Sequence, residues 1–227
     1  MQSELKSKDV TNLEDTQAAF ISECAAFLKF DGNERQVRKR RTILEASSDL
    51  LGRYGYQKTT IDDILNGAGV SRGTLYAYYE SKAEILVHAC VYQKMVYYQN
   101  HASEFEHVVG SRSLLHLVIV QSIEMNYTIP VMRVILETES VEVRQFMSEL
   151  YPPLHSSLLD YTYQRWADLI QSASTRKLKP KELKERTETL LLMLDSALAG
   201  HKLIPHRVPV RPHAERAASL LVSGVLD

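Results

Sequence analysis

Between Thr59 and Lys82 the chain reads TTIDDILNGAGVSRGTLYAYYESK, two short helical patterns separated by Gly67-Ala68-Gly69. That is the layout of a helix-turn-helix. Ile61, Ile64 and Leu65 give the first helix an apolar face at i, i+3 and i+4. Thr60 fits its N-cap, with Asp63 three residues on as an acidic variant of the capping box. Asp62 and Asp63 also suit the positive end of the helix dipole. Either Gly67 or Gly69 is expected to take the left-handed conformation that ends the helix. Val70 is expected as the buried turn residue. Ser71 then caps a second helix in which Leu75 and Tyr79 face the core, leaving Arg72, Gly73, Thr74, Tyr76 and Tyr78 outward.

Such an outward face suits a DNA major groove. Arg can take guanine O6 and N7 together, Thr offers a hydroxyl and a methyl, and Gly allows close backbone approach. Tyr hydroxyls suit phosphate oxygens. Arg72, Thr74 and Tyr76 are therefore expected at base edges, with Ser71, Gly73, Tyr78 and Lys82 near the backbone. Lys82 lies in the first turn of the next helix, where a cation is poorly placed unless an anion sits there too. The amide and hydroxyl of Thr60 are expected to hold another phosphate. Arg38, Lys39, Arg40 and Arg41 lie just upstream and would add sequence-independent attraction. Residues 35–82 hold nine Lys/Arg against five Asp/Glu, whereas residues 1–34 hold three Lys against seven acids. A basic module within a chain of net charge −1 points to localised DNA contact rather than a general coat. A helix-turn-helix used only for packing is the alternative. The basic approach and the terminal lysine argue against it.

These residues resemble the DNA-binding domain of TetR-type transcriptional regulators. The likeness rests on Thr59-Thr60-Ile61-Asp62-Asp63-Ile64, Ala68-Gly69-Val70-Ser71, Gly73-Thr74-Leu75-Tyr76, Tyr78-Tyr79 and Ser81-Lys82. The preceding run, from Arg41-Thr42-Ile43 through Leu50-Leu51 to Tyr54-Gly55-Tyr56, is similar to the family's first helix and its glycine exit. The resemblance covers Arg38 to Leu86 and thins beyond. Asn66-Gly67 departs from the helix-favouring pair usual before Ala68. The resemblance implies an all-α protein, a three-helix DNA-binding module followed by a larger helical domain that binds an effector and dimerises.

No strand-like alternation interrupts the helical patterns. Residues 1–34 are expected as an N-terminal extension with one extra amphipathic helix carrying Phe20, Cys24, Phe27 and Leu28. Residues 35–82 are the DNA-binding module and 83–227 the larger domain. A connecting helix is expected from Lys82 to Phe105, a proline-rich loop from Pro205 to Pro212, and a last helix from His213 to Val225. No run approaches the roughly 20 apolar residues of a membrane span, and no signal peptide is recognised. Cys24 and Cys90 fit no metal spacing and read as reduced thiols of a cytoplasmic protein.

There is no phosphate loop, nucleophile elbow or metal-binding His pair, so no enzymatic function, metal or cofactor is expected. An effector pocket would be apolar and aromatic with a few polar anchors. Tyr97, His101 and Phe105 on the connecting helix are candidates, as are Val118, Ser122 and Met125 on the next. Tyr127, Leu136, Tyr151 and Trp166 complete the set. Each could equally be ordinary core. Apolar stripes on the last two helices, Leu190, Leu194, Ala197 and Leu198 with Ala217, Leu220 and Leu221, suit a dimer seam or simple core packing. The leading expectation is a homodimeric repressor released from a palindromic operator by a small apolar or aromatic ligand. The runner-up is an architectural DNA-binding protein on the same fold with no inducer.

Overall fold

The computed structural model describes residues 17–146, 158–199 and 209–226. All regular structure among them is helical. Helix α1 spans 17–27. It is followed by α2 (Glu34–Lys58), α3 (Ile61–Ala68), α4 (Arg72–Tyr76), α5 (Lys82–Asn100), α6 (Ser103–Glu106), α7 (Ser111–Thr128) and α8 (Pro130–Glu137). Residues 141–146 form α9. Then come α10 (Leu158–Ala173), α11 (Pro180–Ala199) and α12 (Val210–Leu226). The connecting helix thus ends at Asn100, ahead of the expected Phe105, which sits in the separate turn α6. The last helix starts earlier than expected and takes in Pro212. A proline is tolerated there because first-turn N–H groups have no intrahelical partner.

The chain divides into two compact units, Phe20–Gln99 with Ile129–Leu159, and Met1–Ala19 with Asn100–Thr128 and Asp160–Asp227. The first unit therefore takes in more than 35–82. It includes α1 from Phe20 on, because that helix has no core of its own. Phe20, Cys24 and Leu28 are almost fully buried. Phe20 meets Tyr98 edge-on at 5.2 Å, Phe27 stacks on His88 at 4.7 Å, and Phe30 meets Tyr92 at 6.0 Å. Helix α5 is apolar on nearly every face, the pattern of a helix enclosed by neighbours. Burial pushes His88 down to about 4, helped by the nearby Arg40 and Lys29 charges and opposed by its bond with the Glu84 carbonyl. Its ring is neutral at neutral pH. Burial likewise pushes the Cys90 thiol up to about 12, and its Sγ donates to the Val131 carbonyl. Cys24 is buried too, and neither cysteine is in a disulfide.

Helix α8 docks on α2 at a glycine. A Cβ on Gly52 would lie 2.8 Å from the Pro130 Cβ and 3.3 Å from the Val131 backbone nitrogen. Gly52→Ala gains up to about 1 kcal/mol in helix propensity. It loses about 1–3 kcal/mol by overpacking, because a proline ring and a backbone cannot step aside as a flexible side chain does. The clash wins, and the thermal midpoint is expected to drop by a few degrees. An unchanged or higher midpoint would mean that α8 shifts freely.

In the second unit α12 packs along α7, and both touch α11. Their core holds Leu115, Ile119, Trp166, Ile170, Leu190 and Ala218 among others. Arg211 of α12 enters a polar network with Glu104 and Glu124. Among the described residues no helix is long and apolar enough to cross a membrane.

Candidate nucleic-acid interface

The turn after α3 is built as its sequence dictates. The Thr60 hydroxyl accepts from the Asp63 amide at 3.1 Å, and the Asp63 carboxylate accepts from the Thr60 amide at 2.8 Å. The capping box is complete. The hydrogen bonds from Thr60 hold the exposed Asp63 carboxyl below its ordinary range. Gly69 takes the left-handed role, at φ 62° and ψ 37°, where a side chain on Cβ would be strained. Val70 is only half-buried. The Ser71 hydroxyl accepts from the Thr74 amide at 3.2 Å and opens α4. Leu75 and Tyr79 are buried beneath it.

This leaves Ser71, Arg72, Gly73 and Tyr76 exposed, with Thr74 and Tyr78 half-buried. Ser71, Gly73, Thr74, Ala77 and Tyr78 form one wall of an open groove whose other wall is the start of α2, Asn33, Arg35, Gln36 and Lys39. Sequence reasoning began the basic patch at Arg38 and passed over Arg35 and Gln36. Helical spacing carried the signal, since 35 and 39 share a face. Asn33 caps α2, its side chain accepting from the Arg35 amide at 2.9 Å.

The basic run does not act as one patch. Arg38 and Arg41 are exposed and stand outside the groove lining. The Arg40 guanidinium lies 4.7 Å from the Tyr78 ring centroid, and that of Arg41 lies 5.7 Å from Phe30. Arg40 thus props the Tyr78 side of the groove by a cation–π contact. Arg72 pairs through Nη2 with Oδ1 of Asp62 on α3.

Two of the expected phosphate contacts are engaged within the chain. The amide and hydroxyl of Thr60 both donate to Asp63, so a phosphate there would have to displace a carboxylate. Lys82 turns away from the expected anion. Its Nζ donates to the carbonyls of Tyr56 at 2.9 Å and Thr59 at 3.0 Å, and lies 4.2 Å from the Tyr56 ring centroid. Those carbonyls follow the kink of α2 at Gly55, φ 79°, and supply negative partial charge. Burial pushes the Lys82 pKa down, against the charge of Glu142. Glu142 itself accepts from the Tyr56 hydroxyl at 2.6 Å.

The expected effector residues divide between the units. Phe105, Val118 and Trp166 belong to the core of the second unit, and Tyr127 packs against it. Met125 is buried there, with His101 and Ser122 half-buried. Tyr97 and Leu136 lie in the first unit, Tyr97 edge-on to Tyr98 and Leu136 exposed. Tyr151 lies outside the described residues.

Of the expected dimer residues, Leu190 and Leu194 turn into the core of their own unit. Ala217 and Leu221 pack at its edge, and Leu220 is 76% exposed. The side chains of Ala197 and Leu198 lie outside the described residues. Among the described residues of α11, Leu192 and Met193 are exposed large apolar side chains, at 68% and 48%. The run Leu190 to Leu194 is apolar throughout, so its spacing could not choose the outward face.

A capped helix, a left-handed glycine turn and a short second helix with a polar outward face make up a helix-turn-helix. Residues 43–89 match the family described as bacterial regulatory proteins, tetR family. The match covers the helix-turn-helix and parts of the helices on either side of it. It is similar to the HTH-type transcriptional regulator YerO of Bacillus subtilis, 35% identical over 54 residues, 24% of this chain and 19% of YerO. It is also similar to the HTH-type transcriptional repressor KstR of Mycobacterium tuberculosis, 36% identical over 58 residues, 26% of each chain. The matches thus span about a fifth to a quarter of these relatives' length. In fold, the chain is similar to the regulator FadR from Bacillus subtilis in complex with stearoyl-CoA. The TM-score is 0.61 and the identity 17%, over 81% of this chain and 98% of that one. At this identity the likeness is one of fold, and it extends through the larger helical domain.

Proposed function

We propose that this protein is a sequence-specific, dimeric transcriptional repressor whose grip on a palindromic operator is relaxed by a small apolar or aromatic ligand. The observation that carries the reading is the groove between α4 and the start of α2. There the exposed polar face of a short capped helix stands beside Arg35 and Lys39. Arg72, Thr74 and Tyr76 meet base edges, while Ser71, Gly73, Tyr78 and the cations of α2 meet backbone phosphates. KstR is a repressor, which supports the sign of regulation. FadR holds stearoyl-CoA within a similar fold, which supports an effector site in the larger domain. Phe105, Val118, Tyr127 and Trp166 are the best placed to contribute, being gathered about one core. One short recognition helix reads too few bases for useful selectivity, so a second copy is needed. Leu192, Met193 and Leu220 supply exposed apolar surface for it on α11 and α12. The protein acts in the cytoplasm, where the operator is.

Selection of bound duplexes from a random library at about 150 mM salt tests the reading. A palindrome with half-sites about one helical turn apart, or somewhat more, is expected. Recovery of no motif, with binding that disappears in moderate salt, would favour the architectural alternative. Arg72→Ala is expected to cost about 1–3 kcal/mol on the selected site and to relax one base position in each half-site. Equal weakening on all sequences would make Arg72 a phosphate contact instead.

A further inference from the structure

Asp62 sits in the first turn of α3 on a module whose net charge is positive. A carboxylate near a DNA-facing surface opposes approach, since duplex DNA carries about one negative charge per 1.7 Å. Its neighbour Asp63 is committed to the capping box with Thr60. Asp62 instead reaches across the turn to Nη2 of Arg72, the first residue of α4. The two side chains are 69% and 56% exposed, so the pair adds little to folding stability. The helix dipole adds only a modest further gain, and Asp63 already serves it. The geometry supplies another reason. An arginine on a free stem can swing to the nearest phosphate, which rewards any sequence alike. Tethered at one nitrogen by a fixed carboxylate, it loses that freedom and keeps its remaining donors aimed outward from α4.

We propose that Asp62 is a positioning residue for sequence discrimination. It holds the Arg72 guanidinium off the phosphates and presents it to a base, weakening non-specific binding in exchange for selectivity. The proposal rests on the reading of α4 as the base-reading helix. It adds a second residue, on a different helix, to the determinants of specificity.

The test uses the full chain and compares wild type, Asp62→Asn, Arg72→Ala and the double variant. Each is assayed on the selected operator, on its single-base variants and on unrelated duplex. In Asp62→Asn, discrimination at the base position set by Arg72 is expected to fall about tenfold. Affinity for unrelated DNA is expected to rise, and its dependence on salt to steepen by about one unit of slope, as one more phosphate is neutralised. In the Arg72→Ala background, Asp62→Asn should leave base discrimination unchanged, because the discrimination belongs to the pair, and should only relieve the repulsion between its carboxylate and phosphate. Asp62→Glu should keep part of the discrimination, whereas a merely structural role would not move base preference at all. Undiminished discrimination in Asp62→Asn would overturn the proposal. So would an equal loss with and without Arg72, or an Arg72→Ala variant that weakens all sequences alike. A wild type that selects no motif would instead overturn the regulator reading beneath it, so the two failures are distinguishable.

Discussion

Phe20→Ala is expected to destabilise the protein by about 3–5 kcal/mol, the range for an aromatic side chain deleted from a packed core. The ring is 1% exposed. It meets Tyr98 edge-on, and the Lys94 ammonium lies 4.9 Å from its centroid. The cost of the cavity depends on whether the surroundings can collapse into it. Here they are held. Cys24 and Leu28, on the same side of the chain, are already fully buried, and Tyr98 is itself 1% exposed. Urea unfolding measures the effect, as a lower midpoint with an unchanged denaturant slope. A loss under about 1 kcal/mol would mean that α1 only straps a surface finished without it.

The helix-turn-helix was legible because everything that builds it is local. The Thr60–Asp63 box, the left-handed Gly69, the Ser71 cap and the inward pair Leu75 and Tyr79 all lie within four residues of their partners. What escaped depends on distant neighbours. Lys82 is drawn back to carbonyls 23 and 26 residues upstream. The sequence recorded its misfit at a helix start but not the backbone acceptors that relieve it. Asp62 looked like one more dipole-favouring acid until α4 folded beside it. The amphipathic stripe on α1 was plain, yet its partner, α5, is apolar on so many faces that no spacing could name the contact. The same limit applies to the proposed effector site. Phe105, Val118 and Trp166 carry the residue types of a pocket and of a core alike, and they sit in the core of the second unit.

Arg211→Met is expected to cost about 2–3 kcal/mol at neutral pH, and the loss is expected to shrink as the solution is acidified. Arg211 holds Glu104 at 2.8 Å and Glu124 at 2.8 Å, and Gln121 donates to Glu104 at 3.4 Å. Breaking a fully buried pair by removing one partner costs about 3–5 kcal/mol. Arg211 is 35% exposed and Glu124 18%, so solvent screening brings the figure down without abolishing it. Methionine keeps most of the apolar stem, which separates lost charge from lost packing. Burial pushes the Glu104 carboxyl up, but the hydrogen bonds and charge of Arg211 outweigh it and hold the group below its ordinary 4.5. A carboxylate depressed by folding adds stability that is fully present above its unfolded pKa and is lost as pH falls through the folded one. In Arg211→Met the two largest lowering causes are gone and only Gln121 and the His101 charge still oppose burial, so Glu104 loses most of its depression. The stability curves of wild type and variant should therefore be furthest apart near pH 7 and converge below about pH 4. Curves that stay parallel across that range would mean that Arg211 contributes through the packing of its stem, and that its charge is dispensable to the fold.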